Sequence, residues 1–408
     1  MNGTLRAGTR AAAVAALMAF VALVLLDLTQ SPVMSPARAQ GSTEQPAYVT
    51  KAQRAILIDA GNGAVLFQQR ADELAPPASM SKLMTLAVVF KALKDGKIQG
   101  TDEVVMSVNA WRKGGAPSGT SAMMVPVNTK ATIDELIKGI AIQSGNDACI
   151  AIAESMAGNE ANFAKLMTQE ARRIGLTRSS FANATGLHND NHLMTARELA
   201  HLARFLMTEY PDYYGVFGQK EFLSRKHKFY NRNPLLFLGI GADGLKTGQT
   251  KQAGFGLVGS AVQNGRRLIV VVAGLENAAD RKTEAQKMLD WGFKSISQIK
   301  IFDAGEVVGQ ARVWGGNRMY VPLSGEGDIT MSLPKYPANQ RLSAEIVYRA
   351  PLKPPIKKGD HVATLRIQST SSASAEIPLY AQEDVAPSGI AWRGIDSLLI
   401  MALRRLTL

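Results

Sequence analysis

Three short stretches of this chain place a hydroxyl near an amine or an amide, the pairing that turns an alcohol into a nucleophile. The first is PPASMSKLMT, Pro76 to Thr85, with Ser79 three residues ahead of Lys82. At i, i+3 on a helix two side chains share a face, which holds the Ser79 hydroxyl near the Lys82 amine. A helix N-terminus adds unpaired N–H groups and a positive field that favours an oxyanion and disfavours an ammonium. A neutral lysine is the base that such a serine requires. A plainer role competes: Ser is a favoured N-cap, and Ser81 fits an ordinary first helical turn. Ser-x-x-Lys also occurs at Ser297–Lys300, at a helix end, and at Ser332–Lys335, where Ser332 precedes Leu333–Pro334. The spacing alone therefore does not select a nucleophile.

The second stretch is QSGND, with Ser144, Gly145 and Asn146, 65 positions after Ser79 and at a break between helical patterns. Gly and Asn are also natural helix C-caps. A rival Ser-x-Asn at Ser107–Asn109, in SVNAWRKGG, reads as a loop without flanking helices. The third is DGLKTGQT, with Lys246, Thr247 and Gly248, another 102 residues on. On a strand, Lys246 and Gly248 point to one face and Thr247 to the other, unless the strand end is irregular. A glycine there marks close approach of another backbone or a ligand; an edge strand carrying a lysine is the alternative.

These residues need elements to carry them. RAILIDAGNGAVLFQQR, Arg54 to Arg70, has two β-rich runs around Asn62–Gly63, a hairpin signal. Residues 80–95 read as a helix ending near Asp95–Gly96. The middle, about 130–210, is mostly helical. Thr132 and Glu135 form a capping pattern, NFAKLMTQEARRIGL closes on a glycine, and TARELAHLARFLMTEY stops at Pro211. After Lys246 come two strand patterns around Asn264–Gly265, then a helix in ADRKTEAQKMLDWGFKSI. Hairpins imply an antiparallel sheet, here covered by helices, so the expected class is α/β of the α+β type with a helical subdomain. From about Ile299, short alternating runs such as RMYVPL and VATLRI, separated by Gly, Pro and Asn, predict a small all-β domain to Pro387. STSSASA is a polar loop tip within it.

The ends set expectations of place. Arg6 and Arg10 precede an apolar run from Ala11 to Leu26, and Ala37-Arg38-Ala39 closes the segment in the form of a secretory signal. The apolar run is shorter than the roughly 20 residues that span a bilayer. The expected divisions are 1–39 signal, 40–298 catalytic domain, 299–387 all-β domain and 388–408 terminal amphipathic helix. In IAWRGIDSLLIMALRRLTL, residues Trp392, Ile395, Leu399, Leu403 and Leu406 form one stripe; Arg393, Ser397 and Arg404 lie opposite. Such a helix suits an anionic membrane surface, or docking on its own domain.

The chain carries a formal charge of +12. Loss of Arg6, Arg10, Arg38 and Asp27 with the signal leaves about +10. For an exported protein this points to anionic lipid or wall polymer and away from nucleic acid. One cysteine, Cys149 in an apolar stretch, excludes an internal disulfide framework. His188 and His192 are four apart but lie in the Asn-rich LHNDNHLMT with no third ligand, so no metal or other cofactor is expected.

Taken in order, Ser79-x-x-Lys82, Ser144-Gly145-Asn146 and Lys246-Thr247-Gly248 resemble the motif set of the low-molecular-mass penicillin-binding proteins, specifically the serine-type D-alanyl-D-alanine carboxypeptidases. ILIDAGNGAVLFQQRADELAPPASMSKLMT, LIKGIAIQSGNDACIAIAE, FANATGLH and MTARELA are similar to segments of that family, over about residues 50–295. The all-β domain and the amphipathic end resemble it too. The resemblance implies a β-lactamase/transpeptidase-like fold and removal of the terminal D-alanine from peptidoglycan stem pentapeptides through an acyl-enzyme. It implies Ser79 as nucleophile, Lys82 as base and Ser144 as proton relay. Asn146 would orient the peptide, and Lys246 and Thr247 would hold the terminal carboxylate beside Gly248. The N–H groups of Ser79 and Gln249 would form an oxyanion hole, and β-lactams would acylate Ser79. Relatives often carry His where this chain has Gln249, which bears on deacylation.

A class A β-lactamase would share two motifs but needs Glu-x-x-Leu-Asn, which is absent between residues 150 and 240. An endopeptidase on this scaffold, or a wall-binding scaffold protein, is the further alternative. The second would lack Ser79 or Lys82, and both are present.

Overall fold

The RAILID run alternates its burial between two cores, and that alternation explains the architecture. The computed structural model describes residues 48–334, 341–370, 374–390, 392–394 and 396–397. Strand β1 (Arg54–Asp59) sends Ile56 and Ile58 into one apolar cluster and Ala55 and Leu57 into another. It pairs antiparallel with β2 (Val65–Gln69) and with β9 (Arg266–Leu275). In β9, Ile269 and Val271 share the first cluster, and Leu268, Val270 and Val272 the second. The sheet therefore has a helical layer on each face. With β7 (Ala242–Thr250) and β8 (Gly254–Gln263) its order is β2-β1-β9-β8-β7, all antiparallel, and β7 is the edge.

The larger layer holds α1 (Lys82–Lys94), α4 (Asn146–Ala157), α5 (Glu160–Arg173) and α6 (Ala196–Glu209). In α1 every residue from Lys82 to Phe90 is buried, so it is a central helix, apolar on all sides over these residues except at Lys82 and Thr85, with Lys91 and Lys94 in its last turn. The other face is covered by α7 (Ala278–Ser295), through Ala285, Met288 and Leu289. Between α1 and α4 come the small pair β3 (Glu103–Val105) and β4 (Lys130–Thr132), and the helices α2 (Val108–Gly114) and α3 (Ile133–Lys138). Thr132 and Glu135 form the expected capping box of α3. Another free-standing hairpin, β5 (Glu221–Ser224) with β6 (His227–Tyr230), precedes β7.

Several expectations change in detail. Ser107–Asn109 is not a loop: Ser107 caps α2 by accepting the Ala110 N–H, and Glu154 of α4 holds both Ser107 and Asn109. Asn264–Gly265 is a two-residue turn with both residues at positive φ, whereas Asn62–Gly63 lies in a wider Ala60–Ala64 connection. Ser297 lies in a strand rather than at a helix end, and Ser332 is a buried strand residue bonded to Asp59 and Arg266. Both are structural positions.

The late β-rich region holds β10 (Ile296–Phe302), β11 (Gly309–Arg312), β12 (Tyr320–Ser324), β13 (Ile329–Pro334), β14 (Leu342–Val347), β15 (His361–Ser369) and β16 (Ser374–Ala381) around its own apolar cluster. It begins at Ile296, three residues before the expected boundary, because β10 follows α7 without a linker. Ser374 of β16 pairs with Val65 of β2, and Arg266 reaches Asp59, Ser332 and the Ile296 carbonyl, so the two parts are joined.

The expected signal segment 1–39 lies outside the described residues, as do Ile395, Leu399, Leu403 and Leu406 of the terminal stripe. Of that helix, Trp392 is exposed, while Asp396 is buried against Arg312 and the Gly315 N–H, and Ser397 accepts from the Trp314 indole. Its start is thus docked on the β-rich region through polar groups. Among the described residues no helix is long and apolar enough to cross a membrane.

Candidate active site

Ser79 sits in a 3₁₀ turn, Ala78–Ser81, immediately before α1. Neither it nor Ser81 caps the helix: the N-cap positions of the turn and of α1 make no side-chain cap bond. Instead Ser79 Oγ lies 2.8 Å from Lys82 Nζ. Lys82 also meets Asn146 Oδ1 at 2.7 Å, and the Thr185 carbonyl oxygen. Burial brings the Lys82 pKa down from 10.5 to about 8, and Arg232 pushes in the same direction.

Asn146 is delivered by a helix break. A π-helical turn, Gly139–Gln143, ends at Ser144 with φ 65°, and α4 begins at Asn146. A non-glycine residue at positive φ is strained. It holds Ser144 Oγ buried, with no hydrogen-bond partner. Asn146 Nδ2 donates to Thr120 Oγ1 at 2.9 Å, and its backbone N–H to the Ser121 carbonyl at 2.7 Å. Asp147 fixes this wall: its buried carboxylate accepts from the N–H groups of Met123, Val125 and Ala148. Burial raises its pKa, against the pull of those N–H bonds.

The third wall is β7. As the sheet edge it runs past the 3₁₀ turn, and a Cβ on Gly248 would lie 2.9 Å from the Pro77 carbonyl oxygen and 3.2 Å from the Ala78 Cβ. Only glycine lets the strand come this close. Lys246, Thr247 and Gly248 are all buried and keep continuous register with β8, so both faces of the strand are covered here. Lys246 Nζ donates to the Thr247 carbonyl at 3.1 Å, and burial, with Lys82 and Arg232 adding, holds its pKa well below the usual lysine range.

The three motifs thus meet at one cleft of about 390 Å³, lined by Ser79, Asn146 and Gln249, with Gly119, Thr120, Ser121, Gly186, Leu187, Arg232 and Thr250. Three contributors lie outside the motifs that the sequence singles out. The Thr185 carbonyl is placed by the Asn183 side chain, whose Oδ1 accepts from Thr185 N and Oγ1 and from Gly186 N. Asp147 directly follows a motif residue. Arg232 donates to Ser121 Oγ at 2.6 Å across the cleft wall. A backbone carbonyl has no sequence signature; Arg232, between Asn231 and Asn233 just before Pro234, has one.

His192 is buried, accepts from the Ala182 N–H and has its pKa lowered by burial to about 4; His188 lies 3.4 Å from Asp190. Among the described residues no three His, Cys, Asp or Glu side chains converge as a metal site would require. Cys149 is buried, and burial pushes its thiol up to about 12.

Residues 39–277 match the sequence profile of the D-alanyl-D-alanine carboxypeptidase family, and residues 297–387 that of the penicillin-binding protein 5 C-terminal domain. D-alanyl-D-alanine carboxypeptidase DacC of Escherichia coli is 35% identical over 364 residues, 89% of this chain and 90% of that protein. The solved structure of penicillin binding protein 5 from Haemophilus influenzae superposes with a TM-score of 0.70 at 33% identity, covering 84% of this chain and 99% of that one. Penicillin-binding protein D2 from Listeria monocytogenes, in its ampicillin-bound form, gives a TM-score of 0.53 at 27% identity, covering 61% and 100%. The chain belongs to the D-alanyl-D-alanine carboxypeptidase family and is a serine-type carboxypeptidase of the penicillin-binding fold.

Proposed function

We propose that Ser79 is the nucleophile and that it removes the terminal D-alanine of peptidoglycan stem pentapeptides. The observation that carries this reading is the Lys82 amine between three oxygens. A neutral amine has two N–H groups and one lone pair. Asn146 Oδ1 and the Thr185 carbonyl can only accept, so they take both N–H groups. The lone pair is left for the Ser79 hydroxyl, which is the orientation a general base needs.

In the first step Lys82 takes the Ser79 proton as Oγ bonds to the carbonyl carbon of the penultimate D-alanine. The N–H groups of Ser79 and Gln249 hold the oxyanion, typically worth a few kcal/mol per donor. Ser144, whose buried Oγ has no hydrogen-bond partner, passes the proton to the leaving amine, assisted by Lys246. Water then hydrolyses the acyl-enzyme. Asn146 orients the peptide. Arg232 favours a terminal carboxylate by its positive charge, and Lys246 and Thr247 favour it by hydrogen-bond donation. A substrate that continues past this point has no carboxylate to offer them and forgoes the charge-assisted bond. This favours an exopeptidase over an endopeptidase. With Gln249 the main-chain donor is kept and no imidazole is present to assist deacylation.

β-Lactams acylate the same serine in this reading, as the ampicillin-bound relative suggests. We further propose two functional parts dividing near residue 298, export through residues 1–39, and a periplasmic position at the outer face of the inner membrane. The helix of 388–408 would rest there on anionic lipid. The test is release of free D-alanine from a soluble pentapeptide: the wild-type chain releases it, Ser79→Ala does not, and equal release by both would refute the assignment.

A further inference from the structure

The β5–β6 hairpin stands apart from the main sheet and presents an uncommon surface. Phe222 and Phe229 stack inward, with ring centroids 5.3 Å apart. The outward face shows Leu223 at 71% exposure and Tyr230 at 58%, with Phe237 nearby at 51%. Lone exposed apolar residues are ordinary, but three around one small element mark an interaction surface. Cations surround them. From Lys220 to Arg232 the chain carries Lys220, Arg225, Lys226, Lys228 and Arg232 against the single carboxylate of Glu221. Lys228 bonds Glu221 and lies over the Tyr230 ring, and Lys220 lies over Phe237.

The chain leads from this surface directly to the cleft. Asn231 N–H donates to the Lys220 carbonyl, closing the base of the hairpin. Arg232, the next residue, lines the cleft and reaches Ser121. From Lys228 to Arg232 the chain spans at most roughly 14 Å.

We propose that the hairpin is a docking platform for the wall polymer itself, touching a portion of the strand beyond the stem peptide held in the cleft. This rests on the reading of the cleft as a peptidoglycan carboxypeptidase site. The wall strand matches the patch chemically: the apolar faces of its sugar rings suit Tyr230 and Leu223, and the carboxylates of its stem peptides suit the cations. The platform thus discriminates polymeric from free substrate without touching the reacting bond.

The test uses the full chain and two substrates, a soluble pentapeptide and insoluble pentapeptide-rich sacculi. In the double variant Leu223→Ser with Tyr230→Ser, D-alanine release from the soluble peptide and acylation by benzylpenicillin stay within about two-fold of wild type. Release from sacculi falls about ten-fold, as expected when two anchoring side chains are removed. A charge variant, Lys226→Ser with Arg225→Ser, weakens the salt dependence of sacculus binding. Equal activity on both substrates overturns the proposal, as does an equal fall on both, which would locate the effect in the cleft. Co-sedimentation of the Ser79→Ala chain with sacculi reads the platform independently of turnover. Failure of that binding in the hairpin variants supports it even if the carboxypeptidase reading fails. Binding of the hairpin to anionic vesicles instead of sacculi overturns it.

Discussion

At the scale of the residue, Lys82 decides the chemistry. Its pKa, brought to about 8 by burial, makes the base protonated below that pH and neutral above it. The rate of acylation should therefore rise with pH to an inflection near 8, measured by stopped-flow with a chromogenic β-lactam; a flat profile from about pH 6 to about pH 9 would contradict this. The same shift acts on stability. Between about 8 and 10.5 the unfolded chain binds the Lys82 proton and the native one does not, so stability rises with pH through that window as this group's destabilising effect at lower pH is relieved. Ser144 is held at φ 65°. Ser144→Gly should relieve about 1 kcal/mol of backbone strain and raise the thermal midpoint relative to Ser144→Ala. Both variants should acylate slowly, so stability and acylation separate. These serines and lysines were legible because side-chain chemistry appears in the sequence. The Thr185 carbonyl was not, because every residue has one and only the Asn183 loop aims it.

At the scale of the element, the cleft depends on how closely β7 and the loop before α6 approach the 3₁₀ turn. A Cβ on Gly186, which has φ 76°, would lie 2.1 Å from the Ala78 carbonyl oxygen. Gly186→Ala should destabilise by several kcal/mol, combining overpacking with a forced positive φ. Gly248→Ala meets milder crowding and should cost about 1–3 kcal/mol while slowing acylation, because the strand must retreat from Ser79. Chemical denaturation and β-lactam trapping on the same samples check both; unchanged values would show that the approach is slack. Local signals predicted the Asn264–Gly265 turn and the Thr132 capping box, since a turn and a cap are written in adjacent residues. Helix α2 is not legible locally, because Glu154, distant in sequence, holds its first turn.

At the scale of the whole molecule, Arg266 joins the catalytic sheet to the β-rich part. Its guanidinium pairs with Asp59 at 2.8 Å and reaches Ser332 and the Ile296 carbonyl. Asp59 is almost fully buried. Removing its partner leaves a buried charge, a change that typically costs about 3–5 kcal/mol. Arg266→Met should lower the calorimetric midpoint and split one transition into two; a single unshifted transition would show that the joint contributes little. This joint was invisible in the sequence, where Asp59, Arg266 and Ser332 read as unrelated residues of three separate segments. The change of texture near residue 299 was legible, because short alternating runs differ in period from helices.

The most direct measurement is intact-mass analysis after exposure to benzylpenicillin, with peptide mapping of any adduct. The account predicts one covalent adduct on the wild-type chain, mapped to Ser79, and none on Ser79→Ala. An adduct on another residue, or on the Ser79→Ala chain, would contradict it.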